Sequence, residues 1–137
     1  MARIFVYGSL RKGMYNHEIY LKNKSTYIED AYVKGTLYSL KGKKYPALIA
    51  GNDTIIGEIF EVDAEAMGPL NALENYVEGC VDNEYNKVNL QIYNEKGEAT
   101  ERLDVYVYND ANPEKKACLE HIIEGNDFCQ YYRERYV

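Results

Sequence analysis

Two places in this chain carry residues whose types and spacing suit chemistry. The first is Tyr7-Gly8-Ser9-Leu10-Arg11, set directly behind a run, Arg3 to Val6, that reads as a buried strand. A strand that breaks at a glycine leaves backbone N–H groups without ladder partners. Gly8 tolerates positive φ and lets another group come close to the backbone. Such a turn can seat a carboxylate or phosphate on N–H donors alone. It also reads as an ordinary turn after a first strand. Ser9 lacks the Gly-x-Ser-x-Gly elbow of a nucleophile, so its expected part is to shape the turn and lend its N–H.

The second place is Glu74. A helix over Pro69 to Val77 puts Leu70, Leu73 and Val77 on one apolar stripe, and Glu74 falls inside it. An ionised carboxylate is costly to desolvate there, and burial without a cationic partner raises its pKa. A carboxyl held near neutrality can take and return protons, as general acid–base work requires. The pattern leaves two other readings open. Glu74 can sit at the margin of the stripe and reach water or a lysine, and Glu78 lies on the same side of the wheel, against Gly79.

Other reactive side chains offer less. Cys118 and His121 are spaced to meet on a helix, but read as a core cysteine beside a surface histidine. His17 follows the Gly8 turn, where it can touch a ligand or cap a short helix; the second is expected. Two histidines and three cysteines without zinc spacing predict no metal. No glycine-rich dinucleotide or phosphate loop predicts a cofactor.

The elements that must position these residues follow from periodicity. Strands are predicted over Arg3–Val6, Ala31–Leu40, Tyr45–Ala50, Thr54–Val62, Tyr85–Tyr93 and Glu101–Tyr108, with hairpin turns at Lys41–Lys44 and Asn94–Gly97. A short helix is predicted over Tyr15–Lys22. Another falls within Asp63–Val77, restarting near Gly68 because Pro69 lacks an N–H. A third begins with Asn112 as cap and Pro113 as first residue, carries Cys118, Leu119 and Ile122 on its stripe, and stops at Gly125. Mainly antiparallel strands with a few helices define an α+β chain.

Length and charge narrow the function. The 137 residues fit one domain, residues 1–137, large enough for a core without staples. A formal net charge of −6 with both signs mixed argues against nucleic-acid and anionic-membrane partners. An odd cysteine count, the lack of a signal-like start and the lack of a span-length apolar run predict a reducing, cytoplasmic setting. Fifteen tyrosines and no tryptophan suit half-buried strands and polar pockets alike.

The order of short motifs resembles the γ-glutamylcyclotransferase family, which includes γ-glutamylamine cyclotransferases and AIG2-like proteins. The resemblance runs through Tyr7-Gly8-Ser9-Leu10 with Arg11, Gly13 and Asn16, then Gly35-x-Leu37-Tyr38, Tyr45-Pro46-Ala47-Leu48 and Gly57-Glu58-Ile59-Phe60. It continues through Leu70-x-x-Leu73-Glu74, Tyr85, Val105-Tyr106-Val107-Tyr108 and Ile123-x-Gly125-Asn126-Asp127-Phe128. It implies a small, mixed, mainly antiparallel β-barrel with packed helices. It also implies Glu74, rather than Glu78, as the catalytic carboxylate, and Tyr7, Gly8, Ser9 and Leu10 as the backbone seat for a γ-glutamyl group. Many members carry Asp where this chain has Asn71. The implied reaction needs no side-chain nucleophile, because the substrate's α-amine attacks its own γ-carbonyl and releases 5-oxoproline. Pre-oriented attack of this kind is worth an effective molarity on the order of 10⁵ M or more. Tyr85, Tyr106 and Tyr108 are expected to line the pocket. The alternative is a small-molecule binding module of the same fold without turnover. The sequence carries no signal for the leaving amine or for an oligomeric state.

Overall fold

A computed structural model describes residues 2–74, 76–80 and 82–136. The elements in chain order are β1 (Ala2–Val6), α1 (Tyr15–Tyr20), β2 (Ser25–Leu40), β3 (Pro46–Val62), α2 (Ala64–Leu73), β4 (Tyr85–Tyr93), β5 (Ala99–Tyr108), α3 (Pro113–Lys116), β6 (Leu119–Ile122) and α4 (Phe128–Tyr136).

The strand order is β3-β1-β5-β4-β2-β6, and β3 also pairs with β2, so five strands close a ring. β1 is parallel to β5 through Ile4 and Asp104, and its pairing with β3 is antiparallel, Ala2 opposite Val62 through Val6 opposite Glu58. The β2–β3 ladder is the longest, and it shifts register between Tyr27 and Glu29 and between Gly35 and Thr36. This is the α+β, mainly antiparallel barrel that the sequence implied.

β1 runs as an unbroken apolar stretch because both of its faces are covered. Phe5 joins a cluster with Val33, Leu48, Ile59, Val105 and Phe128. Its neighbours Ile4 and Val6 point the other way, into a cluster with Leu21, Phe60, Ala66 and Leu70 that α1 and α2 cover. The end of β1 is therefore held from both sides. β3 also presses on it at Gly57, where a Cβ would stand 2.3 Å from Val6 O and 2.4 Å from the Phe5 ring.

Several elements depart from the sequence expectations. Tyr45–Ala50 and Thr54–Val62 are one strand, with the Gly35/Thr36 register shift marking the join. β2 starts at Ser25 rather than Ala31. α2 runs through Gly68 and Pro69 instead of restarting there. Both residues are exposed, and a preceding glycine has no Cβ to clash with the proline ring. The helix stops at Leu73, so Val77 is not on its stripe but 65% exposed. α3 starts as expected, with the Asn112 side chain accepting from Glu114 N and Lys115 N, but lasts one turn. Leu119–Ile122 is a strand, drawn out by the open edge of β2 at Tyr38 and Leu40. The sequence reading also missed α4, which Asp127 starts by accepting from Gln130 N through Oδ1, at 3.2 Å.

Candidate active site

The turn after β1 is closed by a hydrogen bond from Arg11 N to Gly8 O at 3.0 Å. Tyr7, Gly8, Ser9 and Leu10 are all buried. The carbonyls of Ser9 and Leu10 and the Ser9 hydroxyl bond into α1. His17 N donates to Ser9 O at 3.1 Å, His17 Nδ1 lies 3.0 Å from Leu10 O, and Asn16 Nδ2 donates to Ser9 Oγ at 2.8 Å. The amides of Ser9 and Leu10 make no backbone hydrogen bond to a described residue. Gly8 is not at positive φ. Its reason is space: a Cβ there would stand 2.9 Å from Cγ and Cδ of Pro46, the first residue of β3.

A cavity of about 510 Å³, counting its open mouth, lies against this turn. It is lined by Tyr7, Gly8, Ser9 and Leu10 together with Leu73 and Glu74. The two features that the sequence singled out thus share one space. Glu74 follows α2 directly, with its N–H bonded to Leu70 O at 3.0 Å, so the helix end delivers the side chain into the cavity. Glu78 is exposed and does not line it.

Burial pushes the Glu74 carboxyl up from 4.5 to about 8, and the charge of Glu84 adds to the rise. The tyrosines around it are held neutral. Burial raises Tyr7 and Tyr85 well above their ordinary value, and raises Tyr45 and Tyr106 as well. Their hydroxyls are spent on fixed acceptors. Tyr7 donates to Tyr106 O, Tyr85 to Pro46 O, and Tyr106 to Asn71 Oδ1 at 2.6 Å. Tyr45 OH donates to Glu84 Oε2 at 2.9 Å. The rings, with their polar ends occupied, give the cavity rigid sides.

Tyr85 and Tyr106 line the cavity as expected; Tyr108 does not. It packs edge-on to Tyr85 with 5.4 Å between centroids and donates to Lys115 O. His17 is buried behind the turn and serves it structurally. Cys118 and His121 do not pair: His121 lies in β6 and Cys118 just before it, Cys118 Sγ donates to Glu114 O, and His121 Nε2 faces Tyr131 OH; Cys118 is exposed rather than in the core. Among the described residues no group of three or more His, Cys, Asp or Glu is placed to hold a metal ion. The sequence reading missed Asn16, Tyr45 and Pro46 as wall residues. All three stood in motifs that carried the family resemblance, which was the signal available.

The ring of strands thus brings the turn of residues 7–10 and a half-buried carboxylate, Glu74, onto one cavity. Residues 4–130 match the family described as gamma-glutamyl cyclotransferase, AIG2-like, and the chain belongs to it. It is 36% identical over 110 residues to the gamma-L-glutamyl-butirosin B gamma-glutamyl cyclotransferase of Niallia circulans, covering 80% of this chain and 68% of that protein. An aig2-like protein of Mus musculus has the same fold at TM-score 0.67 and 25% identity, covering 88% of this chain and 86% of that one. A protein of Pyrococcus horikoshii shares the fold at TM-score 0.69 and 23% identity, over 99% of this chain and 97% of that one.

Proposed function

We propose that this protein is a γ-glutamylcyclotransferase that converts a γ-glutamyl amine or γ-glutamyl dipeptide into 5-oxoproline and a free amine. The observation that carries the reading is the shared cavity, lined both by Glu74 and by the turn of residues 7–10. In this reading the amides of that turn hold the substrate's α-carboxylate, which places the α-amine toward Glu74. The ionised Glu74 takes a proton from the α-ammonium. The freed amine attacks the γ-carbonyl, forming the ring C–N bond. The C–N bond to the leaving amine then breaks as that nitrogen receives the proton from Glu74 and the second proton of the ring nitrogen, so the amine departs as an ammonium and the ring nitrogen keeps one hydrogen. No proton is gained or lost overall.

The energetics support this assignment. Raising the Glu74 carboxyl from 4.5 to about 8 brings it closer to the basicity of the substrate's α-amine, so proton transfer between them is less uphill than with an ordinary carboxylate. Such positioned transfer contributes roughly 10²–10⁴ in rate. Attack within one molecule removes the need for an activated side-chain nucleophile. The partner is then a small γ-glutamyl compound and the setting a reducing cytoplasm, in keeping with three free cysteines.

Incubation with a panel of γ-glutamyl amines and γ-glutamyl dipeptides tests the proposal. At least one should yield 5-oxoproline in the wild type, and Glu74→Gln should lose roughly 10²-fold or more of that rate while staying folded. No product from any substrate, or full activity in the variant, would refute it.

A further inference from the structure

Three stretches quoted for the family resemblance have no part in the chemistry so far: Arg11, the Gly57-Glu58 pair and Asn126-Asp127-Phe128. They converge on one point. Arg11 Nε donates to Glu58 Oε2 at 2.9 Å, and its Nη1 donates to Asp127 Oδ1 at 2.9 Å. The other oxygen of Glu58 accepts the backbone N–H of Lys12 at 2.7 Å. Arg11 and Glu58 are 7% and 6% exposed, so both charges are removed from water and depend on each other.

The position of this triad is what matters. Arg11 is the last residue of the turn that starts at Gly8, and its own N–H closes that turn on Gly8 O. Its side chain ties the trailing end of the turn to β3 through Glu58 and to the start of α4 through Asp127. Phe128, the next residue, is buried and lies near Gly8. Two carboxylates face one guanidinium, so the triad offers no net positive field to an approaching anion. Its effect is geometric. A planar guanidinium can direct separate N–H groups at two acceptors in fixed directions, which an ammonium on a flexible stem does not reproduce.

We infer that Arg11, gripped by Glu58 and Asp127, is the positioning residue that holds the Gly8–Leu10 amides rigid as a carboxylate seat. The kinetic part of this inference rests on the cyclotransferase reading; the rigidity part does not. A lysine at position 11 keeps the charge and loses the fork, so charge and geometry can be separated.

The test compares wild type, Arg11→Lys and Asp127→Asn at a temperature where circular dichroism shows each to be folded. Asp127 is partly exposed, and asparagine keeps an acceptor for the start of α4, so this variant serves even if the arginine variant does not fold. Amide hydrogen exchange at Gly8, Ser9 and Leu10 is expected to rise about tenfold or more in Arg11→Lys and about threefold in Asp127→Asn, with β4–β5 amides unchanged. KM for the γ-glutamyl substrate, and Kd for 5-oxoproline, should rise in the same order, with kcat moving less. A wild-type enzyme that makes no 5-oxoproline would sink the cyclotransferase reading and leave the exchange result to decide the inference. Unchanged exchange at residues 8–10 in folded variants would overturn it. So would a loss of activity with unchanged KM that only follows the fraction unfolded.

Discussion

Glu74 is stabilised in its protonated form, and this has a consequence for folding as well as for chemistry. Its folded pKa of about 8 lies above the ordinary 4.5. Between those values the folded chain holds a proton that the unfolded chain has lost, so the contribution of Glu74 is fully present below about pH 4.5 and is lost as pH rises through about 8. Glu74→Gln has no such dependence. Its stability relative to wild type should climb across that window, by roughly 1–2 kcal/mol for a carboxyl facing a solvent-open cavity. Urea unfolding at several pH values checks this, and a constant difference across the window would contradict it. Asn71 is a second residue of interest, because it stands one helical turn before Glu74 and accepts the Tyr106 hydroxyl. Asn71→Asp keeps that acceptor and adds a negative charge beside the site. It should raise the Glu74 carboxyl further, moving the acid limb of kcat/KM up by about half a pH unit or more. A limb that stays or falls would show that position 71 is electrically remote from the site.

At the scale of elements, the site depends on how the first residue of β3 meets the turn after β1. Pro46 fills the space that a side chain at position 8 would need. Gly8→Ala should therefore cost about 1–3 kcal/mol and weaken substrate binding, since the proline ring is too stiff to move aside. Gly8→Ala with Pro46→Ala should recover part of the loss, read as a coupling energy in a double-mutant cycle; strict additivity would refute the contact. The sequence made this turn visible through a Gly-Ser pair behind an apolar strand, a pattern an ordinary turn also shows; of its two reasons for the glycine, positive φ is not realised and close approach of another group is, that group being Pro46. Positive φ is a property that one residue can announce, whereas contact with Pro46 joins positions far apart in the chain. The same limit explains the misread elements. Cys118, Leu119 and Ile122 fit a helical stripe as well as a strand, and the unpaired edge of β2 decided between them. α2 ends at Leu73 because Tyr76 N turns back to Asn71 O, and Val77 is then held by the Asn83 side chain through two bonds at 2.9 Å. A helical wheel contains no information about Asn83. Glu74 was brought forward by its place among Leu70 and Leu73 and chosen over Glu78 by the resemblance in motif order; the Leu70–Leu73 part of the stripe survives although the helix is shorter than read.

At the scale of the whole molecule, the cavity exists because the sheet closes on itself. The long ladders, β2 with β3 and β4 with β5, are joined at two short seams: Tyr32 opposite Tyr93, and Ile4 opposite Asp104. Such seams are where a closed sheet opens first. Native-state exchange should find the Tyr32 and Tyr93 amides opening at lower free energy than the middle of β4–β5, by roughly 1–3 kcal/mol. Equal protection would mean that the ring opens only by global unfolding. Closure itself was not legible from periodicity, which marks strands but not partners; it came from the resemblance in motif order. The tyrosines follow the same division. Their number announced a half-buried sheet, but only the assembled ring separates Tyr85 and Tyr106, on the cavity wall, from Tyr108 behind them.

The central claim is that one half-buried carboxylate moves the protons of a cyclisation whose anion is held by backbone amides in the same cavity. The dependence of kcat/KM for 5-oxoproline release on pH tests it most directly, because that profile reports the ionisation of the free enzyme. The account predicts an acid limb with its midpoint near pH 8, where Glu74 ionises. A profile already flat above pH 5, as an ordinary solvent-exposed glutamate would give, contradicts it.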